Sequence, residues 1–170
     1  YEGEVNYPLS NSTFLTGRDA YTGGGFELEP IGGRTQQAYL DDLTSSWQGS
    51  YAFYNTERPQ NNFQIEGNHF RGSHDFKFGF GYRKSAVTSQ SGWPTGAYSI
   101  HIGYPDMYTV VVRDWANKAN SKYLSGFIGD QISLDRLTLN AGMRWDRQVA
   151  NLEAASVPVN SLDSTRLPAL

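Results

Sequence analysis

Apolar and polar side chains alternate along this chain with a period of two, and a helical period is hard to find. The alternation is cleanest in two runs. From His74 to Arg83, Phe76, Phe78, Phe80 and Tyr82 fall on one face, and Asp75, Lys77, Gly79, Gly81 and Arg83 on the other. From Leu137 to Asp146, Leu137, Leu139, Ala141, Met143 and Trp145 share a face, backed by Thr138, Asn140, Gly142, Arg144 and Asp146. Successive strand residues point to opposite sides of a sheet, so each run predicts a strand with one apolar and one polar face.

Register predicts the partners. A two-residue turn at Gly72-Ser73, a Gly-X pair suited to type II′, sets His69 opposite Phe76, Gly67 opposite Phe78, Ile65 opposite Phe80 and Phe63 opposite Tyr82. Asn68 then faces Lys77, Glu66 faces Gly79 and Asn62 faces Arg83, and a one-residue slip would scramble both faces. With Asp135-Arg136 as a turn, Leu134 faces Leu137, Ile132 faces Leu139, Ile128 faces Met143, and Gly126 faces Trp145, whose indole can cover the bare glycine. Asp130 falls in the apolar phase of this hairpin as its exception. A third hairpin turns at Ser10–Ser12, with Val5, Tyr7 and Leu9 before it and Phe14, Thr16 and Arg18 after it.

Between hairpins the connections are long: about 23–47, with Gly23-Gly24-Gly25, Pro30 and Gly32-Gly33, and about 86–121, with Trp93-Pro94 and Tyr104-Pro105. Residues 98–104 and 107–113 are candidate strand extensions. Tight and long connections thus take turns, as in outer-membrane barrels with their short periplasmic turns and long outer loops. The expected fold is all-β, an antiparallel meander of about six strands forming an open segment of a transmembrane β-barrel.

Alternation alone also fits the core of a soluble β-sandwich. Two features favour the barrel. The polar faces are rich in Gly, Asn, Gln and Thr with charges of both signs, as a lumen requires. The run His74–Tyr82, tilted about 40° at about 3.3 Å per residue, rises about 20 Å, near the roughly 25 Å apolar band of a barrel. Tyr82, Tyr123 and Trp145 are then placed together as an aromatic girdle. Lipid-facing candidates are Phe76, Phe78, Phe80, Tyr82, Leu137, Leu139, Met143 and Trp145; lumen-facing candidates are Glu66, Asp75, Lys77, Arg83, Asn140, Arg144 and Asp146.

Composition agrees with this picture and narrows it. The 170 residues include no Cys, 18 Gly and 14% aromatics, and the formal net charge is −3. Disulfides and thiolate metal sites are excluded, as is a strongly basic surface for nucleic acid. No run approaches the roughly 18 consecutive apolar residues of a transmembrane helix. A mean hydropathy of −0.54 is that of a soluble chain, but a barrel strand is apolar only at every second position. The sequence opens at Tyr1, without an initiator Met or signal peptide, and reads as a fragment.

Motifs for chemistry are weak. His69 and His74 flank a tight turn on different faces, His101 stands alone, and a metal needs three or four converging ligands. Asp41-Asp42 with Glu27 and Glu29 lacks the spacing of a Ca²⁺ loop and reads as a solvated acidic loop. Glu66 and Asp75 are several rungs apart, which does not suit a glycosidase pair. No enzyme, cofactor or metal site is expected. Loop aromatics Trp47, Trp93, Tyr98, Tyr104 and Trp115 are candidates either for substrate contact or for packing the loops together.

The run Tyr123-Leu124-Ser125-Gly126-Phe127-Ile128-Gly129-Asp130-Gln131, followed by Arg136-Leu137-Thr138-Leu139-Asn140-Ala141-Gly142-Met143-Arg144-Trp145-Asp146, resembles a strand pair in TonB-dependent outer-membrane transporters. His74–Arg83 is similar to a further strand of the same barrels. Gly103-Tyr104-Pro105-Asp106, Arg113-Asp114-Trp115 and Gly23-Gly24-Gly25-Phe26 resemble the Oar-like subgroup. The resemblance implies a barrel of about 22 strands with a plugged lumen in the outer membrane of a bacterium. It also implies energised transport, with outer-membrane lipid, a plug of the same parent chain, the TonB complex and an unknown substrate as partners. Residues 1–170 are then expected to be part of the barrel domain, with no plug and no TonB-contacting box among them. A secreted carbohydrate-binding β-sandwich and a passive porin are the alternatives.

Overall fold

The computed structural model describes residues 1–101 and 106–170, and side chains for 1–98 and 106–170. Its strands in chain order are β1 (Glu2–Ser10), β2 (Thr13–Thr22), β3 (Gly25–Leu28), β4 (Ala38–Asp41), β5 (Ser46–Gln48), β6 (Phe53–Glu57), β7 (Gln60–Arg71), β8 (His74–Gly92), β9 (Ala97–His101), β10 (Met107–Val111), β11 (Trp115–Leu134) and β12 (Leu137–Leu152). Among the described residues the only helical element is a single 3-10 turn at Pro94–Gly96. The chain divides into two units, one of residues 1–23, 59–86 and 120–151, the other of 24–58, 87–119 and 152–170.

The first unit is a meander in the order β1-β2-β7-β8-β11-β12. Its tight turns lie at 11–12, 72–73 and 135–136, the last two where the sequence places them. The β7–β8 register agrees rung for rung with the expected one: His69 with Phe76, Gly67 with Phe78, Ile65 with Phe80 and Phe63 with Tyr82. Gly72 has a φ of 62° and Ser73 is not left-handed, the pattern a II′ turn demands. Gly67 also has a packing reason. A Cβ there would collide with the Phe78 ring and Leu15, so the aromatic lies over bare backbone.

Among the described residues the apolar face of this sheet has no opposing layer of side chains. Phe78 is 39% exposed, Phe80 44%, and Leu137, Leu139, Met143 and Trp145 more. Among the described residues the buried hydrophobics are Ala38, Phe53 and Ala97, all in the second unit. A soluble sandwich requires Phe76, Phe78 and Phe80 to be buried against a second sheet. The exposure of Phe78 and Phe80 excludes it, because an apolar patch of this extent is stable only against lipid or a partner.

In the second unit, β3 pairs with β6, and β6 with residues 88–92 of β8. A separate four-stranded sheet runs β10-β9-β4-β5, and there β4 and β9 are parallel. The long connections therefore carry secondary structure of their own. The runs foreseen as strand extensions instead pair with each other as β9 and β10; residues 102–105, and with them Tyr104, lie outside the described residues.

Five local expectations are corrected. Phe14, Thr16 and Arg18 share a face with Pro8, Asn6 and Glu4, not with Val5 and Tyr7, which pair with Gly17 and Leu15. The turn spans only Asn11-Ser12, with a register shift between Pro8 and Ser10 that the alternation does not reveal. Trp145 does not cover Gly126, whose absent Cβ would meet only the Gly79 carbonyl at 3.8 Å. Tyr123 leaves the girdle because its hydroxyl bonds to Asp146 on the polar face. His69 and His74 share one face, both stacked on Phe76 at 6.4 and 5.3 Å. Asp130, the exception in the apolar phase, accounts for itself by meeting His74 Nδ1 at 2.6 Å.

The turns differ in strain. Asp135 takes a left-handed φ of 45°, which glycine adopts without penalty and other residues at about 1 kcal/mol. Asp135→Gly is expected to raise the urea midpoint of the folded protein by an amount equivalent to about 1 kcal/mol. Gly72→Val, at φ 62°, is expected to lower it by at least as much.

Candidate functional site

The polar face of the first unit gathers its charges into three groups. Glu66 belongs to the first. Glu4 accepts from Arg18 Nε at 2.6 Å, and Arg18 Nη1 stands 4.0 Å from Glu66. In the second group Lys77 Nζ lies 3.5 Å from Asp75. Asp75, Lys77, Gln131 and Asn140 line a common recess of about 230 Å³. In the third, Arg144 donates to Asp146 at 3.0 Å and to the Tyr123 hydroxyl at 3.3 Å, while Arg83 lies over the Tyr123 ring at 5.2 Å. Six of the seven residues chosen for the polar face thus have a charged or aromatic partner on their own or a neighbouring strand, and Asn140 lines the recess beside Asp75 and Lys77. Such exposed pairs add little stability, because water screens them.

Between these groups the wall is made of glycine. Gly79 and Gly81 face the polar side, where Phe127 and the Ser125 hydroxyl occupy the space a Cβ would take. The Phe127 ring is an apolar side chain on a polar face. The alternation of β11 does not disclose its role, which is to close the gap over Gly79.

The histidines are engaged locally. His69 Nδ1 meets the Thr13 hydroxyl at 2.8 Å, and His74 meets Asp130; the side chain of His101 lies outside the described residues. Glu27 and Glu29, foreseen as part of a solvated acidic loop, are exposed and hold Arg34, whose Nη2 donates to Glu27 at 3.0 Å and also to Glu29. These bonds hold the Glu29 carboxyl below the usual carboxylate range.

Sequence reasoning missed a concave feature of the second unit. A cavity of about 350 Å³ is lined by Arg34, Phe53, Trp93, Val112, Arg113 and Asp114, with Asn160 at its wall. Asn160 is 6% exposed and clips three segments together: its amide donates to the carbonyls of Gly96, at 2.9 Å, and Val112, and its oxygen accepts from Leu162 N at 2.8 Å. Behind it the loop aromatics pack on one another. Trp93 lies 5.0 Å from Trp47, 4.8 Å from Tyr51 and 4.6 Å from Tyr98. Arg34 caps the Phe53 ring at 4.1 Å. No local motif announces the cavity, because its walls come from residues far apart in the chain. The run Arg113-Asp114-Trp115 is its only trace in the sequence.

A family model described as TonB dependent receptor-like, beta-barrel, matches residues 2–163. The chain belongs to the TonB-dependent receptor β-barrel family. That family consists of outer-membrane transporters rather than enzymes, and its barrels work with a plug and TonB. No match was found among curated proteins or among solved structures. The meander, the exposed apolar face and the tight turns alternating with long connections are thus the marks of a TonB-dependent transporter barrel.

The aromatic cluster predicts how the second unit is held. Each ring pair contributes about 0.5–1.5 kcal/mol beyond burial. Trp93→Ala removes three such pairs. The variant is expected to reach the membrane in normal yield, yet to be cut several-fold faster by protease within residues 24–58 of intact cells.

Proposed function

We propose that this chain is wall, lumen lining and outer loops of an Oar-like transporter that moves a substrate too large or too scarce for porins. In this reading residues 1–170 are part of the barrel domain, and the plug and the TonB-contacting segment belong to the same parent chain. TonB pulls on that plug to open the path, by uptake or by export. The single observation that carries the reading is the exposed apolar face of β8 and β12, with Phe78, Phe80, Leu137, Leu139 and Met143 all free of a core. Phe76, Tyr82 and Trp145 complete that face toward lipid. Glu66, Asp75, Lys77, Arg83, Asn140, Arg144 and Asp146 line the lumen and meet the plug or water. The outer edges of β1 and β12 have no partner strand in the described order and pair with further strands of the barrel. The Oar-like assignment is supported by Arg113-Asp114-Trp115 and Gly23-Gly24-Gly25-Phe26.

Two variants in the parent protein test the faces. Phe78→Arg places a charge near the membrane midplane at a cost of about 2–4 kcal/mol and is expected to cut outer-membrane yield sharply. Lys77→Ala is expected to leave yield unchanged. A photocrosslinking residue at Asn140 tests the plug: it should trap an internal link to the N-terminal part of the same chain, which a passive porin cannot form.

A further inference from the structure

We propose that the cavity of the second unit is a binding site for a zwitterion, a ligand carrying an ammonium and a carboxylate, as amino acids and short peptides do. Arg113 and Asp114 both line the cavity, and each carries one polar atom at its wall that the fold leaves without a partner. Arg113 Nε and Asp114 Oδ1 are both buried, and neither has a hydrogen-bond partner. One is an obligate donor and the other an acceptor, and they belong to consecutive residues that line the same space. A buried polar group without a partner is expensive, so a pair of this kind is kept only where something else satisfies it. No ion pair of Arg113 occurs among the described residues.

The site is built for Asp114. Gly92 has no Cβ, and the space it leaves is where the Asp114 carboxylate sits. Burial pushes its pKa above the usual range, and the N–H of Trp93, which donates to it, and the more distant charge of Arg34 offset this only in part. A carboxylate so destabilised gains most from a cation that binds it directly. Arg113 supplies the matching guanidinium for a ligand carboxylate, a charge-assisted bond of the strong class. A volume of about 350 Å³ lies within the range of small-molecule sites, and Pro94, Val112, Pro158 and Val159 give it aliphatic walls.

The same walls argue against a sugar. Carbohydrate sites use a free aromatic face. Here Phe53 is buried beneath Arg34, and Trp93 is engaged by three other rings.

The proposal rests on the transporter reading only in placing this unit among the outer loops. Calorimetry on the full parent protein in detergent tests it, with three probes: the dipeptide Ala-Leu, its doubly capped form acetyl-Ala-Leu-amide, and maltotriose. The expected result is that Ala-Leu alone binds, and that Arg113→Gln and Asp114→Asn each weaken it at least tenfold. Gly92→Ala, which crowds the Asp114 carboxylate, is expected to weaken it in the same direction. Outer-membrane yield of each variant is measured alongside, so that lost binding is not confused with lost folding. Equal binding of the capped dipeptide, binding of maltotriose in place of Ala-Leu, no heat with Ala-Leu at millimolar concentration, or indifference to both charge variants overturns the proposal. Uptake measured with and without TonB reports on the transporter reading independently of these outcomes.

Discussion

A strand that crosses hydrocarbon has no water to satisfy its N–H and C=O groups, so each of them must be given to a neighbouring strand. The rest of the first unit follows from that constraint. Pairing fixes a register, register fixes which side chains share a face, and each face then meets a single solvent. On one side of the sheet Ile65, Phe78, Phe80 and Leu139 stand exposed without a core. On the other, Glu4, Arg18 and Glu66 form one chain of contacts, and Arg144, Asp146 and Tyr123 another. A soluble protein of this length would bury such an apolar face. Among the described residues of this one, the few buried hydrophobic side chains lie in the second unit.

The glycines show how close packing and alternation are reconciled. Phe78 lies over Gly67 on the apolar side, and Phe127 over Gly79 on the polar side. Each ring covers backbone that a smaller neighbour leaves bare, and each would be displaced by a methyl group at its glycine. Phe127 sits in the polar phase because Gly79 gives it room there, so a rule based on phase alone reads its strand incorrectly.

What was legible in the sequence is what a period of two encodes. The register of β7 on β8 could be read because Phe76, Phe78, Phe80 and Tyr82 leave only one pairing that keeps both faces consistent. The first hairpin was less legible, since its faces are patchy and its irregularity near Ser10 shifts the phase of Phe14, Thr16 and Arg18. Tyr123 was misplaced because an aromatic near a rim suggests a girdle, whereas its hydroxyl belongs to Asp146 and Arg144. The cavity was illegible, as Arg34, Arg113 and Asn160 meet through tertiary structure and share no spacing. The loop sheet was hidden for the same reason: the parallel pairing of β4 with β9 joins residues sixty positions apart, and no local pattern encodes it.

The central claim is that the two faces of β8 meet different solvents, and the absence of native cysteine from this sequence makes it directly measurable. Single cysteines placed in turn at residues 75–82 of the parent protein, spin-labelled in lipid vesicles, report access to oxygen and to a water-soluble nickel chelate. The account predicts strict alternation, with oxygen favoured at Phe76, Phe78, Phe80 and Tyr82 and nickel at Asp75, Lys77, Gly79 and Gly81. Nickel access at the phenylalanines, or a profile without a period of two, would contradict it.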